Sequence, residues 1–188
     1  MNAVDEVVVL FAERGGEHHG EVVDQRDHAL QCASLARADG AADHLVAAAL
    51  LHDIGHLVGP AAGVRREDPA TADDRHEAIG ARWVASRFGP AVARPIALHV
   101  LAKRYRCTVD HDGIDSLSPA STLSLRVQGG LLDDAAVARF RSDPAHAEAL
   151  TLRSWDEAAK DPGRITDGVE AFLPVLGRMA SAPGRTPG

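Results

Sequence analysis

Apolar residues recur along this chain at three- and four-residue intervals, and few segments alternate apolar with polar. The first pattern predicts helices, whereas alternation would predict strands. Val4 to Arg14 reads as a short helix, followed by the polar loop GGEHHGEVVDQRD. HALQCASLARADG offers Leu30, Ala33, Leu35 and Ala36 for packing and stops at Gly40. A third helix takes Asp43 as its N-cap, runs through Leu51 and carries a His-Asp pair near its C-terminal end, with Gly59-Pro60 as terminator. PAAGVRREDPATADD then forms a loop of small and charged residues, long enough for a lid or a substrate-facing segment.

Beyond that loop, RHEAIGARWVASRFG places Ile79, Trp83, Val84 and Phe88 at helical spacing and closes on Gly89-Pro90. RPIALHVLAKRYR is a fifth helix with Pro95 in its first turn. LSPASTLSLRVQGG opens with Ser118 as cap and Pro119 at the first helical position. DDAAVARFRSD, PAHAEALTLRSWDEAAK and TDGVEAFLPVLGRMA complete an all-α domain over residues 1–180. The tail SAPGRTPG, residues 181–188, reads as disordered. No internal repeat or inter-domain linker interrupts the pattern.

Composition narrows this picture. The 188 residues suit one domain, and a hydrophobic share of 45% suffices for a core. Lys and Arg number 20 against 27 Asp and Glu, a net charge of −7 without a basic stripe. That balance disfavours a nucleic-acid surface but leaves local cations free to hold a small anion. Cys32 and Cys107 do not make a disulfide framework. The N-terminus is acidic at its start and lacks a signal-peptide core, and no run approaches the ~20 apolar residues of a membrane span. These features predict a soluble, reduced, cytoplasmic protein; they leave its oligomeric state open.

Candidate chemistry centres on AALLHDIGHLV, where His52, Asp53 and His56 break an apolar run. Polar groups are costly to bury unpaired. If both are helical, His52 and His56 share a face about 6 Å apart along the axis, with Asp53 rotated roughly 100° from His52. A metal ion would supply partners and remove the burial cost. The plain alternative is a His-Asp hydrogen bond with His56 facing solvent. His28, His76, His99 and Asp156 begin or interrupt other apolar helical patterns in the same way.

The pattern H…HDIGH…H…H…D resembles the HD-domain metalloenzyme superfamily, from about Glu21 to Lys160. The resemblance implies a helical bundle with a central di-metal site. It implies that His28, His52, Asp53 and Asp156 bind one metal, that His76 and His99 serve a second, and that Asp53 bridges both. Four His and two carboxylates without thiolate suit Fe, Mn or similar metals rather than structural zinc.

Within that superfamily, several stretches are similar to the mixed-valent di-iron oxygenases that cleave carbon–phosphorus bonds in hydroxylated phosphonates. They are Asp27 to Ala33, LLHDIGHL, HVLAKRY, LSPASTLSLRVQGG and LRSWDEAAK. The resemblance implies two irons (Fe2+/Fe3+) with O2 as co-substrate, and catalytic roles for His52, Asp53 and Lys103. Lys103 lies one turn after His99, and Arg153 one turn before Asp156. Both reach toward a small anionic organophosphonate, Arg153 with a fork matched to two oxygens. His56 adds a donor near the first metal, Ser121 another, and Gln128 belongs to the same substrate-facing set. Glu21 matches the Glu of a Tyr-x-x-Glu motif that meets an amino or trimethylammonio group. His18 stands where that motif has an iron-capping Tyr. The rival reading is an HD-type phosphohydrolase acting on a nucleotide or other phosphate ester, with Mn, Co or Mg and no oxygen requirement. A non-catalytic regulatory module would have lost ligands, and none is missing from the pattern.

Overall fold

The computed structural model describes residues 1–18, 22–58, 75–110, 114 and 117–180. Among the described residues there are ten α-helices, one 3-10 turn and no strand. The helices are α1 (Ala3–Arg14), α2 (Gln25–Ala38), α3 (Asp43–Leu51), α4 (Ile54–Val58), α5 (His76–Phe88) and α6 (Pro90–Val109). They continue with α7 (Pro119–Val127), α8 (Asp134–Ser142), α9 (His146–Ala158), the 3-10 turn Val169–Phe172 and α10 (Leu173–Met179). The loop expected at residues 60–74, the terminator Gly59-Pro60 and the tail 181–188 lie outside the described residues.

The all-α expectation agrees with this architecture. The centre of the bundle is α3, whose Val46 to Leu51 are all buried. A helix that is apolar all round has no solvent face and belongs inside. Around it pack α2, α6, α9 and α10, while α5 lies along α6 and α4 rests on α5. The main core unites Phe11, Leu30, Leu50, Leu51, Ile54, Val84, Ile96, Leu152, Trp155 and Phe172. A smaller cluster joins Ala102, Phe140 and Ala149 where α6 meets α8 and α9.

Three local expectations need correction. Asp43 is the first helical residue of α3, and Ala42 holds the N-cap without a side-chain bond. The Asp43 carboxylate instead accepts two N–H bonds from Arg178, at 2.6 and 3.1 Å, fastening α10 to α3. Pro95 sits inside α6, not in its first turn, because the helix already begins at Pro90 after Gly89 (φ 85°). The carbonyl that Pro95 cannot satisfy belongs to Ala91, which is exposed and within reach of water. Finally, the helix carrying the His-Asp pair is not continuous: it ends at Leu51, and a separate short helix begins at Ile54. The cap predicted at Ser118 is present, its side chain accepting from the Ser121 amide at 3.0 Å.

No helix among the described residues is long and apolar enough to cross a membrane. Cys32 and Cys107 are free and buried.

Candidate metal centre

Five parts of the bundle each bring polar side chains to one buried spot. His28 comes from the first turn of α2, His52 and Asp53 from the break between α3 and α4, His76 from the start of α5, His99 from the middle of α6 and Asp156 from α9. At this break the Asp53 side chain faces the same centre as His52, Oδ2 lying 3.5 Å from His52 Nε2. Arg75, in the left-handed region at φ 51°, turns the chain into α5 so that His76 is its first residue. A close approach completes the arrangement: a Cβ at Gly55 would overlap the His76 carbonyl oxygen, and one at Gly80 would come within 3.0 Å of the Gly55 nitrogen. Two glycines therefore let α4 and α5 touch backbone to backbone and seat His76 beside Asp53.

The ligand atoms form two groups that share Asp53. Asp53 Oδ2 lies 3.8 Å from His28 Nε2 and 3.5 Å from His52 Nε2. Asp53 Oδ1 lies 3.5 Å from His76 Nε2 and 3.6 Å from His99 Nε2. Asp156 Oδ1 closes the first group, 3.2 Å from His28 Nε2 and 3.9 Å from His52 Nε2. Ligands about 2.1 Å from one ion stand roughly 3.0–3.4 Å from each other, so these separations are close to a coordination shell. One carboxylate with an oxygen toward each histidine pair is the geometry of a bridging ligand.

The imidazole tautomers test the fit. His28 Nδ1 contacts the Ala159 carbonyl at 2.8 Å, and His52 Nδ1 contacts the Ala49 carbonyl at 2.9 Å. A carbonyl only accepts, so both Nδ1 atoms carry a proton and both rings turn Nε2 toward the centre. Those two Nε2 atoms are 3.2 Å apart. Two ring nitrogens this close need a cation between them, either a proton or a metal ion. His99 Nδ1 is likewise bound to the Ile96 carbonyl, and its Nε2 stands 3.2 Å from that of His76. Carbonyl partners on the far nitrogen are what orient metal-binding imidazoles. The residues present therefore fit a pair of metal ions.

Electrostatics point the same way. Burial pushes the Asp53 carboxyl up, but His52, His76, His56 and His99 around it hold it far below the usual range. Asp156 is likewise held well below its ordinary value, burial being outweighed by the Arg153 charge and the His28 hydrogen bond. Both carboxylates are thus ionised. Burial drives His52 down and His99 down to about 3, so these rings are neutral. Burial also opposes charge on His28, yet the Asp156 hydrogen bond and the two carboxylates raise it overall. A field that draws a proton to this spot equally draws a metal cation.

A cationic rim borders the centre. Lys103 is buried and donates to Ser124 Oγ at 2.7 Å; burial and the nearby Arg153 charge push its ammonium down to about 8. Arg153 is buried, pairs through Nη1 with Asp156 and donates through Nε to Glu157 at 3.0 Å. Its Nη2 is buried without a hydrogen-bond partner among the described residues. A buried orphan donor is uncommon and asks for a ligand. Ser121, in the first turn of α7, and Gln128, the residue that caps its C-terminal end, are both buried, and Gln128 Oε1 also lacks a partner among the described residues.

Not every residue singled out in the sequence arrives here as expected. His56 stacks on His76, ring centroids 4.1 Å apart, so it belongs beside the second ligand group rather than the first. The helix break at His52-Asp53 puts the two histidines of HDIGH on different helices. His18 is exposed and is not among the converging residues. Glu21 lies outside the described residues. Two groups escaped the sequence reading. Glu157 holds Arg153 and also accepts from Arg106, and Lys160 donates to Ser121 and Ser118. Their offsets of one and four residues from Asp156 were the available signal.

Comparison with known proteins matches this geometry. The family model described as the HD domain matches residues 26–153, from just before His28 to Arg153. A protein of Gimesia maris named hydroxymethylphosphonate dioxygenase is 44% identical over 154 residues, covering 82% of this chain and 76% of its own. A protein of Leisingera caerulea named [1-hydroxy-2-(trimethylamino)ethyl]phosphonate dioxygenase (glycine-betaine-forming) is 35% identical over 179 residues, covering 95% of this chain and 90% of its own. With two ligand groups meeting on the Asp of HDIGH and a family model spanning most of the bundle, the chain belongs to the HD-domain family.

Proposed function

We propose that this chain is a di-iron oxygenase that cleaves the carbon–phosphorus bond of a small 1-hydroxyphosphonate. The observation that carries the reading is Asp53, one oxygen facing each histidine pair, beside a buried arginine with an unpartnered donor. The names of the two relatives support the same chemistry. The overall reaction balances without an outside reductant: R–CH(OH)–PO3H2 and O2 give RCOOH and H3PO4. The carbon–phosphorus bond and the carbinol C–H are broken, and O2 accepts the electrons.

His28, His52, Asp53 and Asp156 would hold one iron, and His76, His99 and Asp53 the other, as a mixed-valent pair. When bound, that pair supplies Lewis acidity for the substrate hydroxyl and redox equivalents for O2. The chain supplies recognition and exclusion. Arg153 Nη2 and the Lys103 ammonium neutralise the phosphonate, and Ser121 donates to it. Gln128 completes that wall. His56, stacked on His76, keeps the ring from turning. Asp53 and Asp156 set the charge of the centre, and the surrounding core keeps water out. The carboxylate of Glu21 would serve a substrate bearing an amino or trimethylammonio group, with His18 in the motif position of the iron-capping Tyr. We place the enzyme in the cytoplasm, with residues 1–180 as one HD domain and 181–188 as a tail.

The test is metal content with electron paramagnetic resonance of iron-loaded protein, followed by O2 consumption and phosphate release. Hydroxymethylphosphonate and its 2-amino and 2-trimethylamino homologues are the panel. Two irons per chain, a mixed-valent signal perturbed by one of these compounds and one phosphate per O2 are the expected result. Hydrolysis of phosphate esters with manganese or magnesium, without O2 uptake, would replace this reading with the phosphohydrolase one.

A further inference from the structure

Lys160 lies just past the end of α9, four residues beyond Asp156, and reaches across to the first turn of α7. Its Nζ donates to Ser121 Oγ at 2.8 Å and to Ser118 Oγ at 3.3 Å. An ammonium only donates, so the Ser121 oxygen accepts and its lone-pair side is committed. The Ser121 hydroxyl hydrogen has no acceptor among the described residues, although the residue is 5% exposed. Ser124, one turn on, differs in this respect. It accepts from Lys103 at 2.7 Å and donates to the Ser121 carbonyl at 3.1 Å, so its hydrogen is used. The two lysines thus divide the labour on one helix: Lys103 is held by a satisfied serine, and Lys160 leaves a serine with a proton to give. The Lys160 charge acts on both Lys103 and Asp156, which puts this donor at the cationic rim.

We propose that Lys160 is a positioning residue: by donating to Ser121 Oγ it fixes the Ser121 hydroxyl as a hydrogen-bond donor to a phosphonate or phosphate oxygen. The proposal rests on the reading that the centre receives such an oxyanion. It goes beyond that reading in giving the orientation of the Ser121 donor to Lys160, which acts through the serine rather than on the ligand.

A double-mutant cycle tests it, with inorganic phosphate as probe and calorimetric affinity for iron-loaded protein as readout. Ser121→Ala should weaken phosphate about tenfold, the cost of one hydrogen bond to a charged group. Lys160→Met should weaken it by a similar factor with iron content unchanged, and the double variant should be no weaker than either single one. Lys160→Arg keeps a donor and should restore most of the affinity. Additive losses would overturn the proposal, because Lys160 would then act on the anion by itself. It would equally be overturned by unchanged affinity in Lys160→Met, by no phosphate binding in the parent protein, or by loss of fold or iron in both Lys160 variants. Phosphate binding needs no turnover, so an inactive enzyme on every hydroxyphosphonate would sink the oxygenase reading and leave this cycle readable.

Discussion

At the scale of single residues, Asp53 is the hinge of the site because its two oxygens serve different histidine pairs. His76→Ala should therefore leave the first group intact and reduce iron from two to one per chain, whereas Asp53→Ala should remove a ligand from both groups and lower it below one. Elemental analysis after anaerobic iron loading separates the two; equal iron in both variants would contradict a shared carboxylate. Lys103 makes a different prediction. Its ammonium is pushed down to about 8, so it is charged below that pH and neutral above it. Affinity for a phosphonate dianion should fall as pH rises through about 8, and Lys103→Arg, which stays charged, should flatten that limb of the profile. The folded chain also holds fewer protons here than the unfolded one between about 8 and the ordinary lysine value, so this group's contribution to stability rises with pH across that window. The placing of Lys103 and Arg153 one turn from His99 and Asp156 was legible from spacing. The burial of both cations was not, because a lone charge on a helix reads the same in water or in a pocket until its neighbours are known.

At the scale of elements, the decisive feature is the backbone contact between α4 and α5. Gly55→Ala would force its Cβ into the His76 carbonyl, so α4 or α5 must shift. Overpacking of this kind costs about 1–3 kcal/mol, which for a chain of this size lowers Tm by roughly 2–12 °C. Because His76 moves with the contact, the second metal should be lost while the first remains. Gly80→Ala meets only the 3.0 Å approach to Gly55 and should be the milder variant in both thermal unfolding and metal content. Sequence reading found α7 through its Ser118-Pro119 start, since a cap and a proline at the first position are local signals. It missed the break after Leu51, because the apolar pattern continues through Ile54, Leu57 and Val58 and periodicity alone carries no mark of a two-residue interruption. It also started α6 too late, because Pro95 drew the boundary away from Gly89-Pro90, where the left-handed glycine sets it.

At the scale of the whole molecule, the centre ties together segments spread over most of the chain: α2, the α3–α4 break, α5, α6 and α9 each bring a candidate ligand to it. In both groups two Nε2 atoms face each other 3.2 Å apart, with two ionised carboxylates beside them. Metal ions held by this arrangement would bind the folded chain and not the unfolded one, and would stabilise it by mass action. At a free metal level 100 times the dissociation constant, each site adds about 2.7 kcal/mol. That corresponds to roughly 5–11 °C in Tm per site for a domain of this length. Removing iron with a chelator should therefore lower Tm by about that amount for each ion, and adding it back should restore the value. Zinc or manganese should restore Tm as well, since the ligand set is not specific to iron, but only iron should restore O2 consumption with a hydroxyphosphonate. The two readouts separate what the ions do for the fold from what they do for the reaction. A chelated protein with unchanged Tm would mean that the bundle does not use this centre for metal at all. Equal O2 uptake with zinc would mean that the redox chemistry lies elsewhere.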